Sequence, residues 1–147
     1  MNTEHGNPAP SPCLCGALRQ ASRAVSRLYD EELRGVGLRT TQYSLLRVLA
    51  RAGEVRQGDL GELTSLDETT LSHNLPLLVE AGWVAVRRGA DRREKLLTIT
   101  QAGAAKLAEA LPAWERAQAR MRAVLPEQAW HGLLALLPDV ARLTAGA

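Results

Sequence analysis

The sequence predicts a mostly α-helical domain with one small β-hairpin, and three observations lead to this fold class. Leu and Ala dominate a composition in which aromatic residues make up 3% and Phe is absent, whereas strands favour β-branched and aromatic residues. Apolar residues recur at steps of three and four along most of the chain, which is the period of a helix face. The 147 residues, 46% of them hydrophobic, suit one domain with a buried core.

The sequence shows no sign of a membrane span or of a secretory signal. It has no long uncharged apolar run and no charged leader followed by one, so we expect a cytoplasmic protein that does not contact a membrane. A spaced Ser-His-Asp set, a phosphate-binding loop and a metal-ligand spacing are also missing. We therefore expect no enzyme activity and no cofactor, and the question of a bound metal stays open.

The chain is expected to begin with a disordered tail, residues 1–12, followed by a single domain over residues 13–147. The tail contains three prolines and no periodic apolar pattern. Between Cys13 and Leu33, apolar residues recur at alternating steps of four and three and predict the first helix. These residues are Leu14, Leu18, Ala21, Val25 and Leu28.

The first helix is expected to stop at Gly35 and Gly37, because glycine is the usual residue just beyond a helix end. A second helix is expected to be capped by Thr40 or Thr41, whose hydroxyl can accept a hydrogen bond from the first turn. Its apolar residues are Tyr43, Leu45, Leu46, Val48 and Leu49.

The next two helices are predicted to form a helix-turn-helix. A short helix over Gln57–Thr64 is expected to bury Leu60 and Leu63. After a turn of about three residues, Asp67 can cap a longer helix that ends at Ala81. The spacing of the two helices is that of a DNA-binding unit.

Two short strands, Trp83–Arg87 and Leu96–Ile99, are predicted to form a hairpin with Gly89 near its tip. A hairpin that directly follows a helix-turn-helix is called a wing. We therefore expect a winged helix-turn-helix over about residues 38–100.

The terminal helices, over about residues 13–34 and 101–145, are predicted to be dimerisation helices. Thr100 can cap the first helix after the wing, which Pro112 is expected to kink, and Pro126 suits the first turn of the last helix. The apolar seams of these two helices are Leu107, Leu111, Trp114, Gln118, Met121 and Leu125, and then Trp130, Leu133, Leu134, Leu137 and Val140. The small central unit cannot cover these seams, so we expect a twofold homodimer.

The helix after Asp67 is predicted to present polar side chains outward. At 100° per residue, Leu71, Leu75 and Leu78 define its buried face, and Thr69, His73, Pro76 and Glu80 point the opposite way. Such hydroxyl, amide and imidazole groups can reach base edges in a major groove, although a solvated helix face has the same composition. The candidate DNA contacts are Thr69, Thr70, Ser72, His73 and Asn74.

Positive charge is concentrated on the wing. Residues 1–86 carry eight Arg and ten acidic residues, whereas residues 87–95 carry five basic and two acidic ones. Arginine at a hairpin tip suits the negative potential of a narrow minor groove, although a solvated turn is the alternative. Asp91 is expected to pair with a neighbouring guanidinium and to fix the shape of the hairpin. The candidate contacts on the wing are Arg87, Arg88, Arg92 and Arg93.

The stretch from Tyr29 to Trp114 resembles the MarR family of bacterial winged-helix regulators. The resemblance is carried by five blocks in order, which are Leu38–Leu46, Asp59–Leu63, Thr69–Leu75, Leu78–Val84 and Asp91–Gly103. It implies a homodimer that binds a pseudo-palindromic operator, acts as a repressor, and is released by a small phenolic ligand, an oxidant or a metal. It also implies that Arg93 enters the minor groove, that Asp91 braces the wing and that Thr69–Asn74 faces the major groove. The chain departs from the family at His73 and Pro76, where relatives usually carry basic residues.

The candidates for effector sensing are two cysteines and two tyrosines. Cys13 and Cys15 lie at the start of the first helix, where the macrodipole favours a thiolate that can react with an oxidant or bind a soft metal. The alternative is that both are small buried apolar residues. Residues two apart on a helix point about 200° apart, so pairing across the dimer or joint ligation with His5 is easier than an internal disulfide. Tyr29 and Tyr43 are expected to line an effector pocket.

Two other functions remain open from the sequence. A thiol-based redox or metal-responsive protein would use Cys13 and Cys15 but would leave the arginines of the wing without a role. A helical interaction module that has lost DNA binding would explain His73 and Pro76.

Overall fold

The computed structural model describes residues 12–146, and within them six α-helices and three short strands. The predicted tail therefore lies outside the described residues except for Pro12, which has no regular secondary structure. The mostly helical fold with one small sheet is confirmed. The elements are α1 Leu14–Leu33, a 3-10 turn Arg34–Val36, α2 Thr40–Ala52, β1 Val55–Arg56, a 3-10 turn Gln57–Asp59, α3 Leu60–Thr64, α4 Glu68–Glu80, β2 Val84–Arg88, β3 Lys95–Ile99, α5 Gln101–Val124 and α6 Glu127–Ala145.

The predicted wing is formed by β2 and β3, which pair antiparallel from Val84 opposite Ile99 to Arg88 opposite Lys95. The sheet has a third strand that the sequence did not predict as one. Strand β1 pairs antiparallel with β3 on its other side, with Val55 opposite Leu97, which gives the strand order β1-β3-β2. The wing is therefore hydrogen-bonded along its inner edge to the segment that leads into the helix-turn-helix.

The hydrophobic core lies where α2 meets α4, the sheet and the start of α5. Its fully buried side chains come from elements that are far apart in sequence, and they are Leu33, Leu45, Leu46, Leu49, Leu60, Leu78 and Leu97. Trp83 and Trp114 pack against this cluster from its edge, as expected for core residues. Burying leucines from five elements together fixes α4 and the wing on one rigid support.

The predicted helix caps are confirmed at α4 and α5. The Asp67 carboxylate accepts a hydrogen bond from the Thr70 amide at 2.7 Å, and Gly82 follows the helix with a left-handed φ of 78°. The Thr100 hydroxyl accepts from the Gly103 amide at 3.0 Å and donates to the Gly82 carbonyl at 2.6 Å. The start of α5 is thus tied to the end of α4.

The predicted cap of α2 is wrong by one residue. The N-cap is Arg39, and the helix begins at Thr40. The Arg39 amide donates to the Gln42 side chain at 3.1 Å, and the Thr40 amide donates to the carboxylate of Asp30 on α1 at 2.7 Å. Because a side chain of another helix satisfies this amide, α2 does not need a capping threonine of its own.

One prediction of a buried leucine is also wrong. Leu63 is 51% exposed, because α3 is only five residues long and presents Leu60 alone to the core. On α5, Leu111 is exposed, and the buried face consists of the small residues Gly103, Ala110, Ala113 and Ala117. Small residues let α5 approach the sheet and α2 closely. The helix continues without a break through Pro112.

Ion pairs join α1 to α5. The Arg120 guanidinium lies 3.2 Å from the Glu31 carboxylate and 3.0 Å from that of Glu32, and the Arg116 Nε lies 3.0 Å from Glu32. Hydrogen bonds from Arg116 and then from Arg120 hold the pKa of Glu32 below its usual value. The long helices on the two sides of the domain are therefore linked by charge as well as by packing.

Helix α6 has no buried residue in the described chain. Its exposed leucines are between 40% and 70% accessible, and they are Leu133, Leu134, Leu136, Leu137 and Leu143. Leu14 and Leu18 near the start of α1 are also exposed. Among residues 12–146, no helix combines the length and the apolar character that a membrane crossing needs.

Candidate nucleic-acid interface

Helix α4 is the second helix of the helix-turn-helix, and its polar side faces solvent. Leu75 and Leu78 are buried against the core, and Leu71 is half-buried. The opposite face is exposed as predicted and consists of Thr69, Ser72, His73, Pro76 and Glu80, with Thr70 half-buried at its edge. Pro76 lies inside the helix without ending it. Hydroxyl and imidazole groups are therefore displayed along about one turn of α4.

The prediction for Asn74 is wrong. Asn74 is only 5% exposed, and its side-chain amide donates a hydrogen bond to the carbonyl of Thr70 at 2.8 Å. Asn74 precedes Leu78 by four residues, which places it about 40° from that leucine on the buried side. The bond to the preceding turn lets a polar side chain be buried there. Asn74 therefore does not belong to the exposed face.

Glu68, which was not predicted as a DNA contact, shares the exposed face of α4. It is the first residue of α4 and is exposed, one helical turn before Ser72. The position of Glu68 could have been predicted from the sequence, because residues four apart lie on the same side of a helix. It was missed because an acidic residue in the first helical turn is readily interpreted as a partner of the helix dipole alone.

Arg87 does not project freely from the wing. Its guanidinium forms two hydrogen bonds with the carboxylate of Glu54, at 2.6 Å from Nε and 2.5 Å from Nη2. This pairing holds the pKa of Glu54 below its usual value and raises that of Arg87. A carboxylate just before β1 therefore binds Arg87, and the Arg87 side chain stays 61% exposed.

Four cations of the wing have no ion-pair partner within residues 12–146, and they are Arg88, Arg92, Arg93 and Lys95. A second ion pair stabilises the inner side of the wing, where Arg56 Nε lies 2.8 Å from the Glu94 carboxylate. The two acidic residues Glu54 and Glu94 thus each bind one arginine beside the wing, Arg87 of β2 and Arg56 of β1. The unpaired positive charge is left near the tip.

Asp91 acts on the backbone of the wing tip. Its carboxylate accepts a hydrogen bond from the Arg93 amide at 3.1 Å, and its carbonyl accepts from the Glu94 amide at 2.9 Å. The expected pairing with a guanidinium is wrong, because no arginine of residues 12–146 lies within ion-pair distance of this carboxylate. Gly89 closes the loop by donating its amide to the Glu94 carbonyl at 2.9 Å. A Cβ at Gly89 would lie 2.3 Å from Glu94 Oε2, so glycine makes room for this side chain.

The start of α4 and the wing open onto one groove. This cavity has a volume of about 820 Å³ and is lined on the helix side by Glu68 and Ser72 and on the wing side by Arg93 and Lys95. Hydrogen-bonding groups that suit base edges therefore face the same space as cations that suit phosphates. This arrangement can hold a polyanion in a fixed register.

The two tyrosines differ in their surroundings. Tyr43 is 4% exposed and stacks on Trp114 with ring centroids 6.1 Å apart. The prediction that Tyr43 lines an effector pocket is wrong, because its ring is buried in the hydrophobic core. Tyr29 is half-buried between α1 and α5 and donates its hydroxyl to the side chain of Gln118. Burial raises the pKa of Tyr29, and the charge of Arg47 opposes this effect.

Both cysteines are free and exposed, so the interpretation as buried apolar residues is wrong for this chain. Cys13 is the N-cap of α1, and its Sγ accepts from the Gly16 amide at 3.4 Å. Cys15 Sγ lies 3.3 Å from the Arg19 guanidinium. Within residues 12–146, no three His, Cys, Asp or Glu side chains come together as metal ligands, and His5 lies outside the described residues.

Comparisons with known proteins agree with this geometry. Residues 36–94 match the model of the MarR family. The uncharacterized HTH-type transcriptional regulator YwoH of Bacillus subtilis (strain 168) is 30% identical over 92 residues, which cover 63% of this chain and 67% of YwoH.

Two solved structures share the fold. The transcriptional regulator MosR of M. tuberculosis, solved in complex with DNA, is 30% identical and has a TM-score of 0.80, with 92% of this chain and 98% of MosR covered. BpsR of Bordetella bronchiseptica, whose DNA binding is regulated by 6-hydroxynicotinic acid, is 23% identical and has a TM-score of 0.79, with 90% and 98% covered.

YwoH and MosR are transcriptional regulators, and the likeness to MosR extends over 92% of this chain. The prediction that the chain is not an enzyme is confirmed by its relatives. The comparisons favour a regulator over the redox protein and the interaction module left open by the sequence. The chain belongs to the MarR family of DNA-binding transcriptional regulators.

Proposed function

We propose that the chain is a homodimeric repressor that binds a pseudo-palindromic operator and is released by an effector. The observation that supports this proposal is the shared groove, because Ser72 of the polar face of α4 and the cations Arg93 and Lys95 of the wing open onto the same space. Two such surfaces related by a twofold axis fit successive major grooves about 34 Å apart.

The contacts with DNA divide between the two grooves of the duplex. Helix α4 presents Thr69, Ser72 and His73 to the major groove, with Thr70 at the edge of this face. On the wing, Arg88, Arg92 and Arg93 approach the minor groove or its phosphates, and Lys95 lies beside them. Asp91 braces the wing through the Arg93 amide. Arg87 supports the wing through its pairing with Glu54 and makes at most a secondary contact with DNA.

The domain is organised into a DNA-binding lobe, about residues 38–100, and dimerisation helices, about residues 13–34 and 101–145. The support for a second copy as partner is the apolar face of α6, whose leucines have no cover in the protomer. The exposed leucines at the start of α1 extend this apolar surface. A regulator of this kind acts where its DNA is, in the cytoplasm.

An oxidant is the effector for which the described residues offer the most. Cys13 and Cys15 are exposed at the start of α1, one at the cap of the helix dipole and one beside Arg19. A neighbouring guanidinium and a helix N-terminus favour the thiolate, which is the form that reacts with oxidants. A small-molecule effector is the second candidate and is supported by the regulation of BpsR by 6-hydroxynicotinic acid.

The proposal is tested by measuring affinity for a random-sequence duplex as a function of salt. Each phosphate contact contributes about 0.9 to the slope of log K against log salt. A double variant, Arg92→Ala with Arg93→Ala, removes two contacts from each protomer, so the slope should decrease by about 3.6 for the dimer. Arg142→Ala is the matched control, because Arg142 lies near the end of α6 and binds Asp139 there. Equal slopes for the wild type and the double variant would contradict the proposal.

A further inference from the structure

Helix α4 contains no Lys or Arg. Asp67 caps it, and the helix begins with Glu68 and ends at Glu80. A helix that enters a major groove lies between two rows of phosphates, which repel carboxylates. The affinity for DNA must therefore come mainly from the wing, and the acidic residues of α4 need another explanation.

The two acidic residues at the start of α4 differ in what their carboxylates contact. The Asp67 carboxylate is occupied as the helix cap by the Thr70 amide. Glu68 has no cation within ion-pair distance in the described part of the chain, and it lines the groove with Ser72 and Arg93. Because the N-terminal residues of a recognition helix are those that contact base edges, the Glu68 carboxylate is placed at the reading end of α4.

A carboxylate in the major groove can only accept hydrogen bonds, so its partners are the exocyclic amino groups of cytosine and adenine. Adenine presents its N7 acceptor beside the N6 amino group, and this acceptor repels a carboxylate. Cytosine presents only the N4 amino group on its own edge. From this chemistry we infer that Glu68 is a specificity-determining residue that selects a cytosine in each half-site of the operator. This inference rests on the proposed placement of α4 in the major groove.

A purely structural role for Glu68 is the alternative. A negative charge in the first turn stabilises a helix through its dipole. That role requires only the charge and imposes no preference on any base. Only a base-selecting role predicts that substitution of Glu68 changes the selected DNA sequence. Either role allows the substitution to change the stability of the protein.

The experiment is selection of bound sequences from a pool of random duplexes, carried out with the full chain and its variants. The wild type should select cytosine at one position of each half-site, by about tenfold over the other bases. Glu68→Gln should shift this position towards adenine, whose N6 and N7 match an amide. Glu68→Ala should lose the preference there and keep the rest of the selected site. Glu80→Gln is the matched control, because Glu80 is exposed about 18 Å further along the same helix.

The outcomes separate this inference from the proposed function. If Ser72→Ala changes the selected site but neither Glu68 variant does, the inference about Glu68 is wrong and α4 still reads the DNA. If no variant on α4 changes the selected site, the proposed placement of α4 fails as well. A Glu68→Gln variant that only strengthens binding to all sequences equally also overturns the inference, because it shows simple repulsion of phosphates.

Discussion

Replacing Leu134 on α6 by aspartate is expected to dissociate the proposed homodimer. Leu134 is 58% exposed in the protomer, and complete burial of a leucine contributes about 1.5–3 kcal/mol. Burying the exposed share therefore contributes roughly 0.9–1.7 kcal/mol per copy, and a twofold interface contains the residue twice. The dissociation constant should rise by about 20-fold to 300-fold from lost apolar burial alone. The new carboxylate adds a further penalty for its desolvation.

The assay is sedimentation equilibrium of the full chain at micromolar concentration. The matched control is Leu63→Asp, because Leu63 is 51% exposed but lies on α3 in the DNA-binding lobe. The control should sediment as the wild type does, and the Leu134 variant should sediment as a monomer with unchanged helical circular dichroism. A Leu134→Asp variant that stays dimeric, or a wild type that is monomeric, would refute the reasoning.

Three further predictions concern the fold and the effector. Gly103→Ala should lower the free energy of unfolding, measured by urea denaturation, by about 1–3 kcal/mol. The reason is that its Cβ would lie 2.1 Å from a backbone carbonyl. Gly132→Ala is the control and should not destabilise, because its Cβ would meet no atom within 4 Å. Asp67→Ala should lower the thermal midpoint near neutral pH. The pKa of Asp67 is lowered chiefly by a backbone hydrogen bond. The difference in thermal midpoint between wild type and variant should therefore vanish as the pH falls below 3.8, the usual pKa of the carboxylate, and the carboxylate is protonated. Equal differences at neutral and at acid pH would contradict the capping role. Replacing Cys13 and Cys15 by serine should abolish any loss of DNA affinity on peroxide treatment, and a response that persists would exclude these thiols as sensors.

The features predicted correctly are those that depend on neighbouring residues. Asp67 caps α4 through an amide three residues ahead, and Thr100 caps α5 in the same way. Gly82 ends α4 because a left-handed φ suits glycine. Such contacts lie within one helical turn, so the sequence contains all the information that they need.

Two features that were not predicted arise from contacts between residues far apart in the chain. Arg87 was predicted only as a DNA contact, and it binds Glu54, which is 33 residues earlier. The Thr40 amide at the start of α2 is likewise satisfied by a carboxylate from another helix, that of Asp30 on α1. Asn74 is different, because its position about 40° from Leu78 could be calculated from the sequence. Its bond to the Thr70 carbonyl lets the amide side chain be buried there.

Helix α5 connects the wing to the C-terminal helix as a single rod. Its 24 residues span about 36 Å, and its first turn is fastened to the end of α4 by Thr100 and lies against the Trp83 carbonyl at Gly103. A rod of this length works as a lever. A tilt of about 5° at one end displaces the other by about 3 Å, which is close to the roughly 3.4 Å rise of one base pair. In the proposed function, a small rotation near α6 therefore displaces α4 by about one base pair along the double helix.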